Sequence, residues 1–200
     1  MHARPSLADC KVLVIEDEAV QTLDLEQSLL RLGCTVLGPV DTQAAAMDLL
    51  RRERPNVVLL DLMLRDGPAL RLAERLQARR VPMAAVTGCD ATLLDHSRPQ
   101  GVPLLRKPFG PVALRTTVRG LFKIDLAASL ARTEWRIEQG WDRVRVQAAI
   151  VGRLAAKGHD THSAEELLLA FERTLAILES RRRHLLRLLE AQGGPVVSPR

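Results

Sequence analysis

The chain has 200 residues and a mass of 22.1 kDa, enough for one or two domains of ~100–200 residues. Hydrophobic residues make up 46% and charged residues 26%, close to globular averages, which excludes a wholly disordered chain. The net charge of +5 is spread over both halves, and neither is basic enough to announce nucleic-acid binding.

The first 125 residues alternate short apolar runs with helical patterns. Val12-Leu13-Val14-Ile15 reads as a strand ending in Glu16-Asp17-Glu18. Over residues 19–32, Leu25, Leu29 and Leu32 recur at helical spacing, and Gly33 stops the helix. Thr35-Val36-Leu37-Gly38 is a second strand, and Asp41 or Thr42 can cap a helix that runs to Leu50. Val57-Val58-Leu59-Leu60 is a third strand ending at Asp61, and Asp66-Gly67-Pro68 opens a helix to about Arg79. Met83-Ala84-Ala85-Val86 is a fourth strand ending at Thr87-Gly88, with a short helix near residues 92–96. Val102-Pro103-Leu104-Leu105 is a fifth strand ending at Lys107-Pro108, followed by a helix from about Pro111 to Phe122.

Five βα repeats with continuous apolar strands predict an α/β fold. It is a doubly wound, five-stranded parallel sheet covered by helices on both faces. Sites in such sheets lie at the carboxyl ends of the strands, near the switch in strand order.

After residue 125 no strand-like run remains until the tail. Leu130, Ile137, Val144 and Val151 repeat every seven residues, with Trp141, Ala148 and Ala155 between them, and Gly158 ends that helix. Ser163-Ala164-Glu165-Glu166 has the form of a capping box. Ala164, Leu168, Phe171, Leu175, Leu178, Arg182, Leu185 and Leu189 then alternate steps of four and three, an apolar seam interrupted once by Arg182. The reading is an all-α helical hairpin over 126–191, after an α/β domain over 9–123 and before a flexible tail over 192–200.

No apolar run approaches the ~18 residues that cross a bilayer, and the N-terminus lacks a signal-peptide pattern. The expectation is a soluble cytoplasmic protein without membrane contact. Cys10, Cys34 and Cys89 are widely spaced, which argues against a disulfide framework or structural zinc; each is most simply a reduced small hydrophobe.

The polar strand ends carry the chemistry. Glu16 and Asp17 follow strand one, Asp61 ends strand three, Thr87 strand four and Lys107 strand five, so all five converge on one edge of the sheet. Carboxylates at close range repel one another and call for a cation. Mg²⁺ suits such hard oxygen donors and keeps open positions for phosphoryl oxygens. A lysine ammonium and a threonine hydroxyl suit the remaining oxygens. Asp61 would be the nucleophile, forming an aspartyl phosphate. Taken singly, an aspartate at a strand end is usually a helix cap, and Thr-Gly is usually a turn. Glu18, Asp66 and Asp90 are read as charges at helix starts.

This constellation resembles the receiver domain of bacterial response regulators. The matching segments run from Val12 to Glu18, from Val58 to Leu64, through Val86-Thr87-Gly88, and through Leu105-Arg106-Lys107-Pro108-Phe109. The resemblance implies that Asp61 accepts a phosphoryl group from a partner histidine kinase. Glu16, Asp17, Asp61 and the Met63 backbone carbonyl would bind Mg²⁺, Thr87 would read the phosphoryl group, and Lys107 would pair with it. It further implies a cis Lys107-Pro108 bond, and a signalling protein rather than an enzyme. Three features depart from the family pattern. Leu104 stands where many receivers carry a switching aromatic. Met63 and Cys89 occupy positions that tune hydrolysis of the acyl phosphate, and neither can orient a water well. The segment 90–101 is short for the helix expected there.

The second half resembles, on Gly158-His159-Asp160-Thr161 and residues 164–169, a small helical extension of unassigned role in some response regulators. Its seams point to a homodimer or a partner-docking element, because two helices with one apolar seam each gain by pairing into a bundle. Two alternatives remain open at this point. One is RNA or DNA binding through Arg181-Arg182-Arg183, which Glu165, Glu166, Glu172 and Glu179 dilute. The other is a phosphorelay step on His184, which lacks a neighbouring acidic residue. Trp135 and Trp141 are read as bundle packing rather than base-stacking platforms.

Overall fold

The computed structural model describes residues 7–88 and 100–193. The backbone divides into two compact units, Met1–Asp125 and Leu126–Arg200. The first holds β1 (Lys11–Ile15), α1 (Ala19–Arg31), β2 (Thr35–Val40), α2 (Gln43–Arg52) and β3 (Val57–Asp61). It continues with β4 (Met63–Leu64), β5 (Gly67–Pro68), α3 (Leu70–Ala78), β6 (Met83–Thr87), β7 (Leu104–Arg106) and the first part of α4 (Pro111–Ala156). The rest of α4 and α5 (His162–Ala191) belong to the second unit.

The main sheet has five strands in the order β2-β1-β3-β6-β7, parallel at every contact. This is the doubly wound arrangement that the strand pattern predicts. β1 lies between β2 and β3, so the order reverses there, and the carboxyl ends of β1 and β3 flank the crevice. Leu13, Ile15, Val58, Leu60 and Ala85 point to one face and pack with Ala46 of α2 and Leu72, Ala73 and Leu76 of α3. The alternate residues Val12, Val14, Val57 and Leu59 are equally buried. Burial on both faces is why these strands read as unbroken apolar runs.

Local chemistry fixes the element ends. Thr42 Oγ1 accepts from the Ala45 amide at 3.3 Å and caps α2. Asp66 Oδ2 accepts from the Gln43 amide at 2.9 Å, so Asp66 supports the start of α2 rather than opening a helix of its own. The expected helix start at 66–68 is instead a small antiparallel hairpin, in which Met63 pairs with Pro68 and Leu64 with Gly67 around Arg65-Asp66. α3 begins only at Leu70.

The expected helix end near Phe122 is absent. From Leu121 to Ala128 the chain holds neither Gly nor Pro, and α4 runs on to Ala156. It stops at Gly158, as expected: the Gly158 amide donates to Ala155 O and the His159 amide to Leu154 O, at 3.0 Å each. Gly158 has φ +70°, which a residue with a Cβ adopts at a cost.

In the second unit α4 and α5 run antiparallel. Gln147 Nε2 donates to Ala164 O at 2.9 Å, Gly140 faces Leu175, and Arg182 Nε stands 3.5 Å from Glu134 Oε1. A Cβ at position 140 would lie 2.5 Å from Leu175 Cδ2, so the glycine is what lets that leucine in. Leu175, Leu178 and Leu185 are buried, whereas Ile137, Val144, Val151, Leu168, Phe171 and Leu189 are only half-buried. Trp141, Ala148 and Ala155 face solvent, and Gln147 takes the inward position instead. Trp135 is 62% exposed and Trp141 47%, so neither is enclosed by the hairpin. The short helix expected near 92–96 and the tail beyond Gly193 lie outside the described residues. Among the described residues no helix is long and apolar enough to cross a membrane.

Candidate functional site

Glu16 leaves β1 with its amide donating to Val40 O at 2.9 Å, which prolongs the ladder and fixes its backbone. Asp61 is the last residue of β3 and sits beside Val86 of β6. Lys107 follows β7, and its amide donates to Thr87 O at 2.8 Å. Three strand ends therefore deliver these side chains to one edge. There Lys107 Nζ donates to Glu16 Oε2 and to Asp61 Oδ2, at 2.6 Å each. The other oxygens are also engaged: Asp61 Oδ1 accepts from the Met63 amide at 2.8 Å, and Glu16 Oε1 from the Glu18 amide at 3.3 Å. Glu16 and Asp61 are both buried.

The electrostatics follow from that burial. Burial pushes the Glu16 carboxyl above its usual range, and the nearby Asp61 charge adds to the rise; the Lys107 hydrogen bond pulls against it but does not prevail. Burial alone would lower Lys107, but its hydrogen bonds to Asp61 and Glu16 outweigh this and raise it. Lys107 stays an ammonium, shared between the two carboxyl groups.

Asp17 is half-buried beside Glu16. Among the described residues no three His, Cys, Asp or Glu side chains form a group able to hold a metal ion; Glu16 and Asp61 share a lysine instead. The donors still fit a hard divalent ion, being carboxyl oxygens gathered at one edge of the sheet. Thr87 ends β6 and is buried. The Met63 side chain is 48% exposed while its amide serves Asp61. Leu104 packs against the sheet core, and the Lys107-Pro108 bond is cis, as expected. Cys89 and Asp90 lie outside the described residues.

Sequence reasoning missed a cleft beside Lys107. About 350 Å³ in volume, it is lined by Gln21, Asp24 and Leu25 of α1 and by Lys107, Pro108 and Phe109. The helical spacing of Gln21 and Leu25 is its only trace in the sequence.

Residues 12–119 match the family model of the response regulator receiver domain, more than half of the chain. The chain belongs to that family. Its receiver is similar to the phyllosphere-induced regulator PhyR of Methylorubrum extorquens, with 31% identity over 111 residues. That alignment takes in 54% of this chain and 42% of the relative, so the chain spans less than half of that protein's length. Among solved structures, the receiver domain of Erythrobacter litoralis PhyR is 32% identical with a TM-score of 0.51, covering 56% of this chain and 88% of that one. The receiver domain of the Pseudomonas aeruginosa sensor histidine kinase PA1611 holds a magnesium ion in its active-site cleft. It is 26% identical with a TM-score of 0.52, covering 56% of this chain and 97% of the other. Receivers of this family work in two-component signalling, where they interact with histidine kinases and bind Mg²⁺.

Proposed function

We propose that the chain is a response regulator that takes a phosphoryl group on Asp61 from a partner histidine kinase, with its helical second unit serving as a dimerisation or docking element. The observation that carries the first part is Lys107 bridging Glu16 and Asp61 at 2.6 Å each, at the carboxyl ends of three parallel strands. A carboxylate oxygen of Asp61 attacks phosphorus, the P–N bond of the donor imidazole breaks, and the nitrogen keeps the electron pair. The Met63 amide holds the Asp61 carboxylate in place. Lys107 is close enough to pass from the Asp61 oxygen to an incoming phosphoryl oxygen while keeping Glu16. Glu16, Asp17, Asp61 and the Met63 carbonyl are the residues that would hold Mg²⁺, which supplies charge neutralisation for the transferred group. Thr87, whose backbone is tied to Lys107, would meet another phosphoryl oxygen with its hydroxyl. Val20 and Leu23 on α1, the helix whose Gln21, Asp24 and Leu25 line the Lys107 cleft, and Val112 on α4 are exposed apolar residues, a surface suited to the kinase.

The dimer reading rests on the half-buried seam of the second unit. A second hairpin covering it would close a C2 bundle. Arg182 is engaged with Glu134, which weakens the reading of Arg181-Arg182-Arg183 as a nucleic-acid patch.

The test is labelling by a small acyl-phosphate donor with Mg²⁺. Wild type takes up label that maps to Asp61, and Asp61→Asn takes up none, because an amide is a far poorer nucleophile. Label retained in Asp61→Asn and mapped elsewhere overturns the assignment.

A further inference from the structure

Cys10 and Cys34 lie 24 positions apart in sequence and side by side in the fold. β1 and β2 are parallel, with Lys11 paired to Thr35. Cys10 and Cys34 immediately precede Lys11 and Thr35, so the two face each other where the paired strands begin. The backbone pins both. The Thr35 amide donates to Cys10 O at 3.0 Å, the Cys10 amide to Leu7 O at 2.9 Å, and the Cys34 amide to Leu29 O at 3.1 Å. Adjacent strands run ~4.8 Å apart, within the ~4.4–6.8 Å between Cα atoms that a disulfide spans. Both thiols are free and buried. They stand at the amino ends of β1 and β2, opposite the edge that carries Asp61. Nothing in the phosphoryl chemistry uses them.

We propose that Cys10 and Cys34 form a dithiol modification site, oxidised to an intramolecular disulfide by a peroxide. The facing positions on paired strands carry the proposal, and the asymmetry of the pair assigns the roles. Hydrogen bonding with Cys10 lowers the Cys34 thiol against the opposing effect of burial. The same hydrogen bond, burial and the Asp125 charge push the Cys10 thiol up. Cys34 is therefore the attacking sulfur and Cys10 the resolving one. Cys34 sulfur attacks one peroxide oxygen, the O–O bond breaks, and the departing hydroxide takes a proton to become water. Cys10 sulfur then attacks the resulting sulfenic acid, the S–O bond breaks, and the S–S bond forms. The second water leaves with the proton from Cys10. Two thiols give up two electrons and two protons, and one hydrogen peroxide becomes two waters. Burial makes the reaction slower than at an exposed thiol, but it also directs the sulfenic acid to Cys10, its neighbour.

The experiment treats the full-length Cys89→Ser protein with hydrogen peroxide, blocks remaining thiols in denaturant, and maps peptides by mass. The expected result is one species lighter by two hydrogen atoms, carrying a Cys10–Cys34 cross-link and restored by dithiothreitol. Cys10→Ala in the same background should instead leave Cys34 as a sulfenic acid trapped by dimedone. Cys34→Ser should leave Cys10 alkylatable. Should one of these variants fail to fold, the cross-link map of the folded parent decides alone. Recovery of both cysteines alkylated after peroxide, or of disulfides only between chains, overturns the proposal.

Discussion

The two units treat their problematic residues in opposite ways. In the α/β unit the charged residues are gathered at one point: Glu16 and Asp61 are buried and share Lys107, while apolar side chains close both faces of the sheet. In the helical unit the mismatch is apolar. Trp135, Ile177 and Trp141 face solvent, and most of the seam is half-buried. A doubly wound sheet supplies enough elements to enclose its own core and to aim strand ends at one point. A two-helix hairpin offers each helix only one neighbour, so an apolar seam is left with an open flank. The first unit encloses its core; the second leaves apolar surface uncovered.

The sharpest way to break this contrast is to remove charge balance from the first unit. Asp17→Ala, or chelation of divalent ions, should lower phosphoryl uptake by at least ~100-fold, because Asp17 would help hold the Mg²⁺ that neutralises charge on the transferred group. Initial rates of label incorporation check this. Undiminished uptake would mean that Lys107 alone balances the site.

Next in size is Leu175→Glu in the second unit. Leu175 is 3% exposed and sits against Gly140. A carboxylate there costs several kcal/mol unless it moves to water, so the hairpin seam opens. Light scattering of the full chain should pass from dimer to monomer, with the label uptake of the first unit unchanged. A dimer that survived the change would place association elsewhere.

How much of this was legible in the sequence also divides along the two units. Strand ends were readable because continuous apolar runs stop abruptly at Asp61 and Thr87, and a sheet converts those stops into one edge. The 63–68 hairpin was not, because Asp66-Gly67-Pro68 suits a helix start and a tight turn equally; the pairing of Met63 with Pro68 decides. The passage of α4 beyond Phe122 is implicit in the lack of any breaker, yet the change in periodicity near residue 125 argued for a stop. Heptad spacing gave the seam but not its depth. It counted Ala148 and Ala155 inward, whereas Gln147 reaches Ala164 O. The neighbourhood of Cys10 and Cys34 needs the β1–β2 register, which no local pattern encodes.

A smaller effect concerns the lifetime of the phosphorylated state. Loss of label after removal of the donor should be slow for a receiver, since Met63 offers water no useful hydrogen bond and Cys89 only a weak one. Met63→Asn combined with Cys89→Glu should speed the loss on the order of tenfold. An unchanged decay would show that these positions do not govern water's approach in this chain.

The smallest effect has an unusual sign. Arg182 interrupts the seam, and its Nε is buried without a hydrogen bond, 3.5 Å from Glu134 Oε1. Both side chains are more than a third exposed, so their attraction is screened and worth at most ~1 kcal/mol. Against that stands the desolvation of a guanidinium nitrogen with no acceptor, a cost of about 1–3 kcal/mol. Methionine fills much the same length without a polar atom, and Glu134 is exposed enough to return to water. Arg182→Met should therefore raise the thermal midpoint by a few degrees, at ~2–4 °C per kcal/mol for a chain of this size. Arg182→Glu, which sets like charges against Glu134, should lower it. If Arg182→Met destabilises the protein as much as Arg182→Glu does, the arginine is held by more than Glu134, and the seam owes its register to it.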